Sequence, residues 1–330
     1  MGEIETGGDG ALEAGARGEK VVRALAGVFA LSLVACAAAE APAQPEAPTT
    51  VEHPIEGAAP VNPPPPQTLT LRCAGAFTQG GIALCRTLPG ASVALDGATV
   101  GAADADGWVV VGFTREHGAQ TQVSASANGA TATARFDIAP REFDIQRVNG
   151  LPQQTVTPTD PEVLARIQRD AVLKQEGFRS TANIEGFLDG FILPVEGGTV
   201  TGRWGNQRVL NGTPSTPHFG YDIAAPAGTP IRAPAAGVVT LAQPDMHYEG
   251  GLVFIDHGQG LITMYLHMSR LDVHAGDTVE QGQVIGAVGS SGRATGPHLC
   301  WRMKLRNTQQ LDPSVAIEGL AAARAELLGE

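Results

Sequence analysis

Three short pieces of the chain hold residue types that bind metal and move protons: Pro217-His218-Phe219-Gly220-Tyr221-Asp222, Tyr265-Leu266-His267 and Gly296-Pro297-His298-Leu299-Cys300-Trp301. Side chains at i, i+2 and i+4 of a strand share a face, so His218 and Asp222 point the same way with Gly220 between them. A fully extended chain would hold their Cα atoms roughly 13 Å apart at about 3.3 Å per residue. That is too far for ligands that each lie about 2 Å from one ion. The strand must therefore curl, and Gly220, lacking a side chain, permits it. His298 and Cys300, also i and i+2, would enter the same cavity from a neighbouring ribbon. One imidazole, one carboxylate and one thiolate would give zinc three protein ligands and leave a fourth position for water, the pattern of a catalytic rather than a structural site. His267 and His298 would stay off the ion, suited to proton transfer and to stabilising a developing oxyanion. Beside this stands a core reading, in which Cys300 is a buried thiol flanked by Leu299 and Trp301.

Positioning these groups requires a β scaffold. From Phe191 to Val315, turns recur at Gly197-Gly198, Ala227-Gly228, Gly250-Gly251, Gly258 to Gly260, Ala275-Gly276-Asp277 and Gly289 to Gly292, predicting a compact all-β body with little helix. Asp160-Pro161-Glu162 predicts a helix start, with a helix to about Glu176 that docks through Leu164, Ile167 and Ala171. Thr68 to Ala139 alternates Asp-Gly and Asn-Gly turns with β-branched runs such as Val109-Val110-Val111, predicting a small immunoglobulin-like β-sandwich. Ala41 to Gln67 is dominated by Pro and Ala and reads as an extended, disordered spacer. The expected fold class is thus mainly β. Its segments are a signal region 1–36, a Pro-rich linker 37–67, a sandwich 68–139, a connecting segment with a helix 140–190, the β body 191–315 and a C-terminal helix or tail 316–330.

Lys20 and Arg23 precede an apolar run, Ala24 to Ala35, of signal-peptide length, and the run ends Leu33-Val34-Ala35-Cys36. That ending resembles a bacterial lipobox, which implies lipidation at Cys36 and a membrane-anchored lipoprotein of the periplasm. An ordinary cleaved signal, using the small residues Ala37 to Ala43, is the alternative. In such an oxidising compartment Cys73 and Cys85 are expected to pair, with free buried thiols as the other possibility. The formal net charge of -12 excludes nucleic acid as the partner. No stretch after residue 40 has eighteen continuous apolar residues, which excludes a multi-span membrane protein.

The motifs in order, His218 with Asp222, Tyr265 with His267, and Gly296-Pro297-His298, resemble the lysostaphin and LytM-type zinc endopeptidases, marked by H-x-x-x-D, Y-x-H and G-P-H-x-H. Asp222-Ile223-Ala224-Ala225-Pro226, Gly276-Asp277-Thr278-Val279 and Gly282-Gln283-Val284-Ile285-Gly286 extend the likeness. The resemblance implies a LytM-like antiparallel barrel-sandwich hybrid with an open groove. It also implies zinc as cofactor and hydrolysis of peptide bonds in peptidoglycan stems or cross-links of the cell envelope. Cys300 stands where the family has its last zinc-binding histidine. Two anionic ligands would neutralise the ion, so a slower enzyme is expected. The alternative is a LytM-like regulator that binds the wall and activates amidases. Arg203, Arg208 and Asn211, on a loop before His218, are candidates for meeting an anionic stem peptide, with Tyr265 as a further substrate contact. A solvated loop is the other reading of those three. His247 and His257 read as loop residues hydrogen-bonded locally.

Overall fold

The computed structural model describes residues 68–330 except Thr181. Cys36, its lipobox and the Pro-rich segment 37–67 lie outside the described residues. Seven strands come first: β1 Arg72–Gly75, β2 Ile82–Arg86, β3 Ser92–Leu95, β4 Ala98–Ala102, β5 Trp108–Gly112, β6 Gln120–Ala127 and β7 Ala130–Asp137. They form two antiparallel sheets, ordered β1-β2-β5 and β4-β3-β6-β7. Between the sheets lie Ala83, Cys85, Val93, Val109, Val111 and Val123. Ile82, Leu84, Trp108 and Val110, on the other face of the first sheet, join the core of the downstream body. A strand covered on both faces loses its polar alternation, which is why Val109-Val110-Val111 is an unbroken apolar run. Cys73 and Cys85 oppose each other across β1 and β2 and form a disulfide.

The connecting segment holds β8 Ile145–Val148, one helical turn α1 Gln153–Val156, and α2 Pro161–Gly177. Asp160 caps α2 by accepting from the Glu162 and Val163 N–H groups at 2.8 and 3.4 Å, and Pro161 occupies a position where no N–H is needed. The docking face differs from the expected one: Leu164 and Ala171 are exposed. The helix docks instead through Leu173, which packs on the cluster of Leu241 and Phe254, and through polar contacts. Arg166 pairs with Asp245 at 2.8 Å, Asp170 accepts from the His247 N–H at 2.7 Å, and Lys174 pairs with Glu249.

The body contains β9 Thr199–Gly202, β10 Gln207–Leu210, β11 Thr213–Pro214, β12 Tyr221–Ala224, β13 Pro230–Arg232, β14 Gly237–Met246, β15 Gly250–Asp256, β16 Leu261–Met268, β17 Arg270–Leu271, β18 Thr278–Val279, β19 Val284–Ala287, β20 His298–Leu305 and β21 Gln309–Leu311. Its main antiparallel sheet runs β18-β14-β15-β16-β20-β12-β9, with β21 on β20. β10 pairs in parallel with β8 of the connecting segment. Period-two alternation separates the faces. Val253, Ile255, Tyr265, Leu299 and Trp301 enter the main core, whereas Leu252, Phe254, Met264, Leu266 and Cys300 form a second cluster on the opposite face. The C-terminal helix α3 Ser314–Leu328 packs on β1 and β2 and so ties the upstream sheets to the body. Among the described residues no helix is long and apolar enough to cross a membrane.

Candidate metal centre

Antiparallel pairing of β12 with β20 sets Asp222 opposite Cys300 and Ala224 opposite His298. β12 begins only at Tyr221, so His218 belongs to the preceding loop, a correction to the expected single curled strand. The loop is held by the His218 N–H donating to the Asn206 carbonyl and the Gly205 N–H donating to the His218 carbonyl, each at 2.7 Å. Gly220 is indispensable for space. A Cβ there would lie 2.6 Å from Cys300 Sγ and 2.9 Å from His218 Nε2. With no Cβ present, His218 Nε2 comes to 3.4 Å from Cys300 Sγ and 3.1 Å from Asp222 Oδ1.

These three groups fit a metal ion. Their potential ligand atoms all lie within 4.8 Å of one another, and all three residues are buried. Tetrahedral zinc, with bonds of 2.0–2.3 Å, would hold its ligand atoms about 3.3–3.6 Å apart. Among the described residues Asp222 Oδ1 has no hydrogen-bond partner, though it is buried 3.1 Å from the imidazole nitrogen. A buried, unpartnered carboxylate oxygen aimed at an imidazole nitrogen and a sulfur is the expected trace of a cation site.

The electrostatics agree. Burial lowers the His218 imidazole to about 4, so it is neutral and able to ligate at pH 7. Burial opposes ionisation of Asp222, yet its contacts with His218 and the Arg208 guanidinium hold the carboxyl well below the usual carboxylate range. Burial, reinforced by Asp222, pushes the Cys300 thiol up to about 12. A coordinated ion would remove that proton outright.

His267 reaches the site through a departure from strand regularity. Alternation would put it on the Tyr265 face, in the core. Pairing of β15 with β16 shifts register between Val253↔Tyr265 and Gly251↔Met268, leaving an extra residue on β16, and His267 there has φ 67°. This bulge turns the ring toward His298, with centroids 4.7 Å apart. The hydrogen-bond network assigns the tautomers: Nδ1–H of His267 donates to the Ser291 carbonyl at 2.8 Å, and Nδ1–H of His298 to the Gly296 carbonyl at 2.9 Å. Each Nε2 is left for the groove, and that of His298 lies 4.0 Å from Asp222 Oδ1. Burial, then the neighbouring His298, pushes His267 down to about 3, which keeps its Nε2 an unprotonated acceptor.

Both rings line a cleft of ≈ 290 Å³ whose walls include Gln146 and Leu151 of the connecting segment, Arg208, and the loop Arg293 to Pro297. Two sequence expectations are corrected here, those for Tyr265 and Asn211. Tyr265 is fully buried in the core and its hydroxyl meets Thr263 Oγ1 at 2.7 Å, so it offers no substrate contact. Asn211 spends its side chain on Leu151, donating to that carbonyl at 2.8 Å and accepting from that N–H at 3.2 Å. Arg208 lines the cleft but donates to Asp222 Oδ2 at 2.8 Å, which makes it a partner of the carboxylate. Sequence reasoning missed Arg302. Arg302 was legible, since it lies two residues beyond Cys300 on the same strand face and donates Nε–H to Sγ at 3.4 Å.

His257 is fully buried, its Nδ1–H donating to the Ala236 carbonyl at 2.8 Å and its Nε2 accepting from Thr263 Oγ1 at 2.7 Å. Burial lowers its pKa from 6.5 to about 4. Between those values the unfolded chain binds the extra proton and the folded chain does not, so stability should fall as pH drops from 6.5 towards 4. The contribution is about 3 kcal/mol. A His257→Gln variant should show a flatter stability–pH curve by urea unfolding; curves parallel to the parent's would refute this.

Residues 216–313 match the family model Peptidase family M23. The DD-carboxypeptidase/endopeptidase Mpg of Neisseria meningitidis is 46% identical over 101 residues, 30% of this chain and 23% of that protein. The peptidoglycan DD-endopeptidase ShyA of Vibrio cholerae is 43% identical over 90 residues, 27% of this chain and 21% of that protein. The matches thus span less than a quarter of these curated relatives. A crystal structure of a protein assigned to peptidase M23 from Pseudomonas aeruginosa is similar over most of both chains: 31% identity, TM-score 0.55, covering 73% of this chain and 95% of that one. With that extent of likeness and the ordered site residues, the chain belongs to peptidase family M23.

Proposed function

We propose that this protein is a zinc-dependent endopeptidase acting on peptidoglycan stem or cross-link peptides in the cell envelope, anchored to a membrane by a lipid at Cys36. The observation that carries this reading is the convergence of His218 Nε2, Asp222 Oδ1 and Cys300 Sγ beside two imidazoles whose Nε2 atoms face one cleft. His218, Asp222 and Cys300 would hold the ion, which when bound supplies a Lewis acid for the scissile carbonyl and acidifies a water molecule. His267, neutral and fixed by Ser291, accepts the water's proton. That proton, passed to His298 Nε2 across the neighbouring rings, would be donated from there to the developing oxyanion and then to the leaving amine, so that the one proton taken from water leaves with the product. Arg208 keeps Asp222 Oδ2 occupied, so that Oδ1 alone is left for the ion.

The relatives' names support a peptidoglycan peptide as substrate. The regulator reading, in which the protein binds the wall and activates amidases, draws on one feature, the thiol at Cys300. Zinc content and release of peptides from purified peptidoglycan, measured for the parent and for Cys300→Ala, separate the two. Stoichiometric zinc and product in the parent, both lost in the variant, are the expected result. Metal-free parent protein that yields no product and stimulates an amidase would replace the enzyme reading with the regulator.

A further inference from the structure

The two anionic ligand candidates differ from the neutral one in their surroundings. Asp222 receives Arg208 at 2.8 Å from one wall, and Cys300 receives the Nε–H of Arg302 at 3.4 Å from its own strand. His218 Nδ1 has no hydrogen-bond partner among the described residues. Each formal negative charge that would reach the ion is therefore matched by one guanidinium. Period-two geometry makes the second pairing automatic, because residues 300 and 302 of β20 share a face. The space left by Gly220 admits it, since a Cβ there would lie 3.1 Å from Arg302 Cγ and 2.6 Å from Sγ.

Resting on the zinc-centre reading above, we propose that Arg302 is a positioning residue of that centre: its Nε–H holds Cys300 Sγ in the ligating orientation and draws electron density from the sulfur. A hydrogen bond to a ligating sulfur weakens its donation to the metal, and outer partners of this kind set both affinity and electronic character. With one dication, one carboxylate and one thiolate the inner charges sum to zero. Arg208 and Arg302 restore a positive field at the cleft, which a thiolate in place of a neutral imidazole would otherwise cost.

The test uses the full-length protein, loaded with zinc or with cobalt(II), in the parent, Arg302→Met and Arg302→Lys, each also in a Cys300→His background. Competition with a chelator should show zinc binding about 10–100-fold weaker in Arg302→Met, because loss of the sulfur's ligating orientation outweighs the stronger donation of an unbonded sulfur. Its thiolate-to-cobalt charge-transfer band should move to longer wavelength, because an unbonded sulfur is the better donor. Lysine should recover part of the affinity. In the Cys300→His background, removing Arg302 should leave affinity unchanged or raise it, since only repulsion from the ion is lost. Melting curves of the metal-free proteins control for folding. Unchanged affinity and band in Arg302→Met, or equal weakening in both backgrounds, would overturn the assignment while sparing the metal centre. A parent that takes up neither metal would overturn both.

Discussion

Gly220→Ala should abolish metal retention and with it hydrolysis, while leaving the protein folded. The added methyl would meet Cys300 Sγ at 2.6 Å and His218 Nε2 at 2.9 Å, two of the three candidate ligand atoms. Neither can retreat cheaply: both residues are buried to about 1% exposure, and His218 is fixed to the Asn206 loop through its backbone. Overpacking of this kind costs typically about 1–3 kcal/mol of stability, which a domain of this size tolerates. The ligand geometry tolerates less. A shift of a few tenths of an ångström in two ligands at once should lower zinc affinity by about 100-fold or more, beyond what loss of a single outer hydrogen bond does. Chelator competition beside circular dichroism and a melting curve would measure this. A folded Gly220→Ala protein that still binds zinc as the parent does would show that the three atoms do not converge on one ion.

His267→Asn separates chemistry from metal binding. Asparagine accepts the positive φ of the bulge better than most residues, so the backbone at 267 should hold while the ring is lost. The nearest polar contacts of this histidine are Ser291 and His298, none of them a candidate ligand. Zinc content should therefore match the parent. Hydrolysis of a cross-linked stem peptide should slow by about 10²–10⁴ in kcat, the usual worth of a positioned general base, with little change in KM. If zinc were lost along with activity, His267 would be holding the ion. If kcat were unchanged, the proton would be leaving by another route, with His298 the remaining imidazole at the cleft.

Much of the architecture was readable from local signals. Asp160-Pro161 stops the backbone from helical pairing on one side and satisfies N–H groups on the other, so the start of α2 is written in two residues. The turns of the body fall at its glycines because many of these take positive φ, as Gly228, Gly258 and Gly276 do. What misled was the face of α2. Leu164 and Ala171 suggested an apolar stripe, but the sheet presents Asp245, the His247 N–H and Glu249 to the helix, and charged residues answer them.

The candidate ligand types, their order and the period-two relation that puts His298, Cys300 and Arg302 on one face of a strand are legible in the chain's residues, since these depend on chemistry and local geometry alone. Which groups meet follows from the folding of distant segments onto one another. Cross-strand register sets Asp222 against Cys300, the packing around Gly220 folds His218 back onto the sulfur, and the bulge at His267 reverses the direction that alternation assigns it. That folding also sent Tyr265 into the core and paired Arg208 with Asp222. Contacts between residues up to 82 positions apart follow from register and close packing, and neither is encoded in the spacing of a motif.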